Sequence, residues 1–292
     1  MGNFFLKATK NCNNFFDETT NTQIQKMKRL FRQIARVFVC VLLLFALFIV
    51  FILNPQVSYA RVKNYKGISI YFDKVCPPKL DNALDKATDL ISRSELCTPS
   101  FHFRLFLNDG SFFPVIPTYL FGNGIAWGYY KNVVLNGDID SACLFIHYNG
   151  AQRQLARTIA HEMLHYLEAR YFGLFNSRPI KNIPLWKWEG YPEYISYRSS
   201  LFNEDSLLIA NLSLLDSLKN EPAYPVEVNT DEGRSIAGLD YFRWWLMIKY
   251  CMDIKKMNFV QIMDDKVKYE EVFAEMMKWH EAHRSFSPPS GP

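Results

Sequence analysis

Residues 158–168 read Thr-Ile-Ala-His-Glu-Met-Leu-His-Tyr-Leu-Glu, an H-E-x-x-H run in a stretch without Gly or Pro. Each helical residue advances about 100°, so His161 and His165 fall one turn apart on a single face and both imidazoles can reach one divalent cation. Glu162 follows the first histidine, and its carboxylate can lie beside the open coordination position without binding the metal, as a general base next to an acidified water. A water-activating zinc site takes a third protein ligand. The segment Trp186-Lys187-Trp188-Glu189-Gly190-Tyr191-Pro192-Glu193-Tyr194 supplies a candidate in Glu189, with twenty-three residues between it and His165. That gap lets one helix finish, a loop carrying Pro179 and Pro184 reverse direction, and a second helix return a carboxylate to the histidines. Two neutral imidazoles and one carboxylate leave a zinc site with net positive charge, enough to draw the pKa of bound water towards about 7.

H-E-x-x-H followed by a tryptophan-bearing W-x-E-G-x-x-E-Y segment resembles the gluzincin metallopeptidases, the clan of thermolysin and the aminopeptidase N-like enzymes, over residues 155–197. The resemblance implies zinc ligation by His161, His165 and Glu189, with Glu162 as general base in peptide hydrolysis. It also implies that Glu193, one turn after the third ligand, is the hydrogen-bond partner that fixes the tautomer of a zinc histidine; a plain surface charge is the other reading of that residue. Tyr241, opening a later helical segment, is similar in position to the tyrosine many gluzincins use to stabilise the oxyanion, although simple packing of an amphipathic aromatic is the favoured reading of that residue. Two departures stand out. Pro192 falls where such helices carry a small residue, which puts Glu189 within the first turn of its helix or beside a kink. No G-A-M-E-N-like segment is present, so the resemblance does not extend to aminopeptidase specificity.

Other readings compete. His161 and His165 could be hydrogen-bonded core histidines with Glu162 a solvated charge, and Trp186 and Trp188 read as packing residues. A carboxylate-bridged di-iron centre needs a second E-x-x-H, which His280 and His283 do not form.

Positioning these groups requires a long helix, and residues 151–172 read as one, with Leu155, Ile159, Met163, Tyr166 and Leu167 near one apolar stripe and Gly173 as its stop. Upstream, 124–136 is rich in aromatic and β-branched residues and reads as a strand, either an ordinary core strand or an edge that could hold an extended peptide by main-chain hydrogen bonds. Segments 68–72 and 101–107 alternate with a period near two around a helix over 79–92, a small β-α-β lead-in. Helical patterns then occupy 204–219, 241–252, 259–263 and 269–283. Strands first and helices after predict an α+β fold. What the resemblance adds is a zincin-like domain, a small mixed sheet plus active-site helix followed by a helical region, over 61–284. Residues 285–292 read as a flexible tail.

The N-terminus sets the location. Residues 37–53 are an uncharged apolar run of 17, which at about 1.5 Å per residue crosses most of a bilayer's hydrocarbon core. Lys26, Lys28, Arg29, Arg32 and Arg36 precede it, so the positive-inside rule keeps 1–36, a segment expected to be disordered, in the cytoplasm and the remainder outside. A signal anchor is the favoured reading over a signal peptide. Cleavage after Ala60, in Ser58-Tyr59-Ala60, would instead give a secreted protein, and Met27 is an alternative start.

Beyond residue 53 about 240 residues remain, one sizeable core. Cys76, Cys97, Cys143 and Cys251 lie there without C-x-x-C spacing, which argues against a cysteine zinc site; an exported domain permits disulfides, with Cys76–Cys97 one pairing. A net charge of +4, partly from the cluster before the apolar run, and no basic stretch with interleaved aromatics in the exported part give no case for nucleic acid. The expected partners are a peptide or protein substrate and the membrane. The rival from another class is a zinc-binding envelope protein without proteolytic activity.

Overall fold

Between Gly2 and Pro55 the chain contains no glycine or proline, so nothing interrupts intrahelical bonding, and helix α1 runs Gly2–Leu53 in the computed structural model. The structure describes residues 2–98, 102–198, 204–218, 225–230 and 233–284, with side chains except at 2–26, 174, 204–205, 225, 228–230 and 233–235. The leading segment expected to be disordered is therefore helical from Gly2 onward. Within α1, Met27–Leu53 is long and apolar enough to cross a membrane. The chain divides into two compact units, Met1–Asn54 and Pro55–Pro292.

The second unit is a mixed α+β body. Strands β1 (Arg61–Tyr65) and β2 (Ile68–Phe72) form a hairpin, and helix α2 (Leu80–Ser92) carries the chain to β3 (Arg104–Phe106), which runs parallel to β2. The β-α-β lead-in is thus present; Phe101, placed in its second strand by the sequence pattern, lies outside the described residues. A short helix α3 (Val115–Phe121) leads to β4 (Ala126–Tyr129) and β5 (Asn132–Leu135). The single strand expected over 124–136 is a hairpin that reverses at Tyr130, whose φ of 52° is the left-handed conformation a tight turn needs. Sheet order is β1-β2-β3-β5-β4, so β4 is an edge strand.

A second, three-stranded antiparallel sheet comes next: β6 (Asp138–Ile139), β7 (Phe145–Tyr148) and β8 (Ala151–Gln154). Residues 151–154, expected as the first turn of the long helix, are instead strand. Asn149-Gly150, both at positive φ, forms the two-residue turn that pairs them with β7. Helix α4 begins at Leu155 and ends at Phe172, before Gly173 at φ 79°. Then come α5 (Leu185–Trp188), α6 (Gly190–Ser196), α7 (Glu204–Ser217), a hairpin of β9 (Pro225–Thr230) and β10 (Gly233–Gly238), α8 (Leu239–Lys249) continued by a π-turn to Ile254, α9 (Phe259–Met263) and α10 (Tyr269–His283). The β9–β10 hairpin interrupts the all-helical second half that the sequence pattern suggested. Lys219 and the expected tail 285–292 lie outside the described residues. Cys76, Cys97, Cys143 and Cys251 are free thiols, so the Cys76–Cys97 pairing is not formed here.

Helix α4 lies at the centre, against α2, α6 and β4. It is not a half-exposed amphipathic helix: every residue from Leu155 to Glu168 is buried. Leu155, Ile159, Met163 and Leu164 fill the apolar core, while His161, Glu162, His165 and Glu168 are buried with them. Polar groups removed from water cost several kcal/mol unless they find partners, and His161, His165 and Glu168 find theirs in one another and in neighbouring elements.

Two glycines let those elements approach. A Cβ on Gly128 of β4 would overlap the carbonyl oxygen of Glu162, and one on Gly190 would lie 2.8 Å from Ile248 Cγ1 and 2.9 Å from the Trp244 carbonyl oxygen. Gly128→Ala should therefore push β4 off α4 at the motif and lower stability by about 1–3 kcal/mol, read as a fall in chemical-denaturation midpoint. An unchanged midpoint would show that the two backbones have room to part.

Candidate metal centre

Helical spacing on α4 puts the two imidazoles side by side, ring centroids 4.9 Å apart and edge to face. The carboxylate arrives from the junction of α5 and α6. Glu189 occupies that junction with helical backbone angles, and the amides of Glu189 and Glu193 bond to the carbonyls of Leu185 and Glu189. Pro192 has no N–H to give the Trp188 carbonyl, which accounts for two short helices where one was expected.

Glu189 Oε2 lies 3.2 Å from His161 Nε2 and 3.4 Å from His165 Nε2. Ligand atoms about 2.05 Å from a tetrahedral zinc are ~3.3 Å from one another, so both distances match the edges of such a polyhedron. His161, His165 and Glu189 could hold a metal ion, one ligand atom from each lying within 4.8 Å of the others. Far sides of both rings are backed by carboxylates. His165 Nδ1 is 3.0 Å from Glu168 Oε2, and His161 Nδ1 is 3.4 Å from Glu193 Oε1. At His165 an N–H at Nδ1 directed to Glu168 leaves the Nε2 lone pair facing Glu189, the tautomer a metal requires, whereas His161 Nδ1 lies near Glu193 without a hydrogen bond. Trp188 stacks on the His165 ring at 5.2 Å, fixing its plane.

The electrostatics point the same way. Glu162, Glu168, Glu189 and Glu193 are opposed in this cluster by the guanidinium of Arg153, which donates to Glu193 Oε1 at 2.6 Å. A dication at the ligand atoms would take the place of protons in balancing this carboxylate charge, which a low-dielectric interior otherwise makes costly. In the metal-free protein burial pushes Glu168 up to about 8. Burial opposes the charged form of His165, yet Glu189 and Glu168 raise its pKa well above the ordinary histidine range. Burial likewise opposes ionised Glu189, but the neighbouring imidazoles pull it far below the usual carboxylate range. A proton and a metal therefore compete for the same nitrogen of His165. The sign is then fixed: affinity for zinc falls as pH falls through the raised His165 pKa, by about tenfold per pH unit for each proton displaced. Calorimetric zinc titrations across pH, in two buffers of different ionisation enthalpy, measure that slope; a flat profile would contradict it.

Glu162 is buried, and among the described residues no hydrogen bond or ion pair engages its carboxylate. Tyr241 sits at the start of α8 with its ring 6.2 Å from that of His161. Burial of its hydroxyl, then the charge of Glu189, raises its pKa, with Glu193 and Glu162 adding to the effect against Arg153, so the phenol stays protonated.

Two groups escape the sequence pattern. Glu168 lies three residues after His165, a spacing that places it on the same face, and it reads as an ordinary helix charge until α4 is seen to be buried. Arg153 falls in the segment expected as helix; on β8 it reaches Glu193. Glu168→Gln should weaken zinc binding by about 10–100-fold with little change in fold, measured by competition with a chromophoric chelator. No protein-family model, curated protein or solved structure matches this chain.

Proposed function

We propose that this chain is a membrane-tethered zinc peptidase of gluzincin type, its domain zincin-like and extracytoplasmic. The observation that carries the reading is the convergence of two Nε2 atoms on Glu189 Oε2, at 3.2 and 3.4 Å, with a carboxylate behind each ring. Zinc held by His161, His165 and Glu189 would supply Lewis-acid polarisation of water and of the scissile carbonyl. Glu162 accepts the proton of the attacking water at its carboxylate and passes it to the leaving amine nitrogen. The Tyr241 hydroxyl, held protonated, donates to the oxygen that gains charge. Edge strand β4 abuts the backbone of Glu162 through Gly128 and, among the described residues, has no partner strand on its outer side, so an extended peptide can add there by main-chain hydrogen bonds.

Met27–Leu53 supports the tether, and the basic residues before it support an N-terminus in the cytoplasm. Contacts made by residues 55–59 favour retention of the anchor over cleavage. Pro55 is buried, Arg104 donates to Gln56 Oε1 at 2.7 Å, and the Tyr59 ring packs 5.2 Å from Phe106, contacts that cleavage after Ala60 would remove.

The deciding experiment is incubation of the full-length protein in detergent with a mixed peptide library, with and without a chelator, alongside metal analysis. Chelator-sensitive cleavage with one zinc per chain is expected. Stoichiometric zinc without cleavage would replace the peptidase by a zinc-binding envelope module.

A further inference from the structure

Helix α3 and the segment leading into it bury one side and expose the other. Phe113 and Pro117 face inward, while Phe112, Val115, Tyr119, Leu120 and Phe121 are exposed, Tyr119 to 86% and Phe112 to 60%. Tyr130 is exposed in the β4–β5 turn, next in sequence to Tyr129, whose ring lies 5.7 Å from that of Phe121. Large aromatic and aliphatic side chains grouped in this way are unusual on a soluble surface and mark something that covers them.

Covalent connection identifies the cover. The Tyr59 ring packs against Phe113, centroids 6.4 Å apart, and Tyr59 is six residues beyond Leu53, the end of the apolar helix. Six residues span at most about 20–22 Å, so if the helix crosses a bilayer this surface cannot lie far from where the chain leaves it. The linking residues have little slack, because Pro55 is buried and Gln56 is bonded to Arg104. Tyrosine and phenylalanine are also the side chains that favour the headgroup level, where rings enter the acyl boundary and hydroxyls stay wet.

We propose that the exposed face of Phe112, Val115, Tyr119, Leu120, Phe121 and Tyr130 docks into the lipid interface, as a second membrane contact beside the N-terminal helix. The proposal rests on residues 37–53 spanning the bilayer, part of the proposed function. Through the contact of Phe121 with Tyr129, such docking holds the β4 edge beside the membrane surface.

The test uses the full chain in phosphatidylcholine nanodiscs with the photoreactive residue p-benzoylphenylalanine in place of Tyr119, Leu44 or Lys278, the last exposed on α10. After irradiation, intact mass should show lipid adducts for positions 44 and 119 and none above background for 278. Adducts at 44 without adducts at 119 would overturn the docking surface and leave the anchor standing. No adducts at 44 would remove the anchor and the proposal with it. Equal labelling at 119 and 278, or a chain-to-chain crosslink from 119, would also overturn it, the latter in favour of a second copy as the cover.

Discussion

Glu162→Gln should retain one zinc ion per chain and lose about 10²–10⁴-fold in peptide hydrolysis, the range a positioned general base contributes. The amide is close in size to the carboxylate and lies outside the three groups that could hold the ion, so neither fold nor zinc content has reason to change. What it removes is the ability to accept a proton from water at neutral pH. Metal analysis and turnover of the best library peptide, on the same preparation, check both halves. Retained turnover would end Glu162's role as base, whereas loss of zinc would mean that its carboxylate holds the ion directly.

The part of this site readable in the sequence is the part encoded locally. His161 and His165 belong to one helix, and a spacing of four fixes their shared face before any tertiary structure forms. Glu189 is legible through the tryptophan-bearing segment around it, although only the folded chain brings it within 3.4 Å of both rings. Glu168 and Arg153 are not legible, because their significance depends on burial and on pairing across elements. A carboxylate three residues from a histidine is commonplace on a solvated helix; with Glu168 fully buried it becomes the partner that sets a tautomer.

The same division runs through the fold. Phe259–Met263 and Tyr269–His283 coincide with the segments read from apolar periodicity. Ala151–Gln154 reads as helix in the sequence because its polar residues carry no strand period; the Asn149-Gly150 turn before it is the signal for a hairpin. At 124–136 the aromatic and β-branched content identifies extended chain, but composition does not locate a reversal, and Tyr130 and Lys131 turn one strand into two. That difference matters for function, since the hairpin puts β4 at the sheet's edge.

Glu189→Ala should lower zinc affinity by about 10²–10³-fold, a quarter share of the ~10–16 kcal/mol that four ligands supply at a structural zinc site. Losing the carboxylate also removes the oxygen that draws the two Nε2 atoms together, leaving two imidazoles with no anionic ligand between them. Its consequence for stability can be read without any substrate. At a fixed excess of free zinc, a 100-fold weaker dissociation constant cuts the stabilisation by bound metal by about 2.7 kcal/mol. The rise in melting temperature that zinc gives the unaltered protein should shrink accordingly in Glu189→Ala, while Glu162→Gln keeps it in full. Metal-free samples of Glu189→Ala and the unaltered protein test the other side, because a fold that collapses without Glu189 even before zinc is added would make the residue a structural bridge between histidines. Equal zinc-induced shifts in all three proteins would show that Glu189 is not a ligand, and the site would lose the carboxylate on which the hydrolytic reading depends.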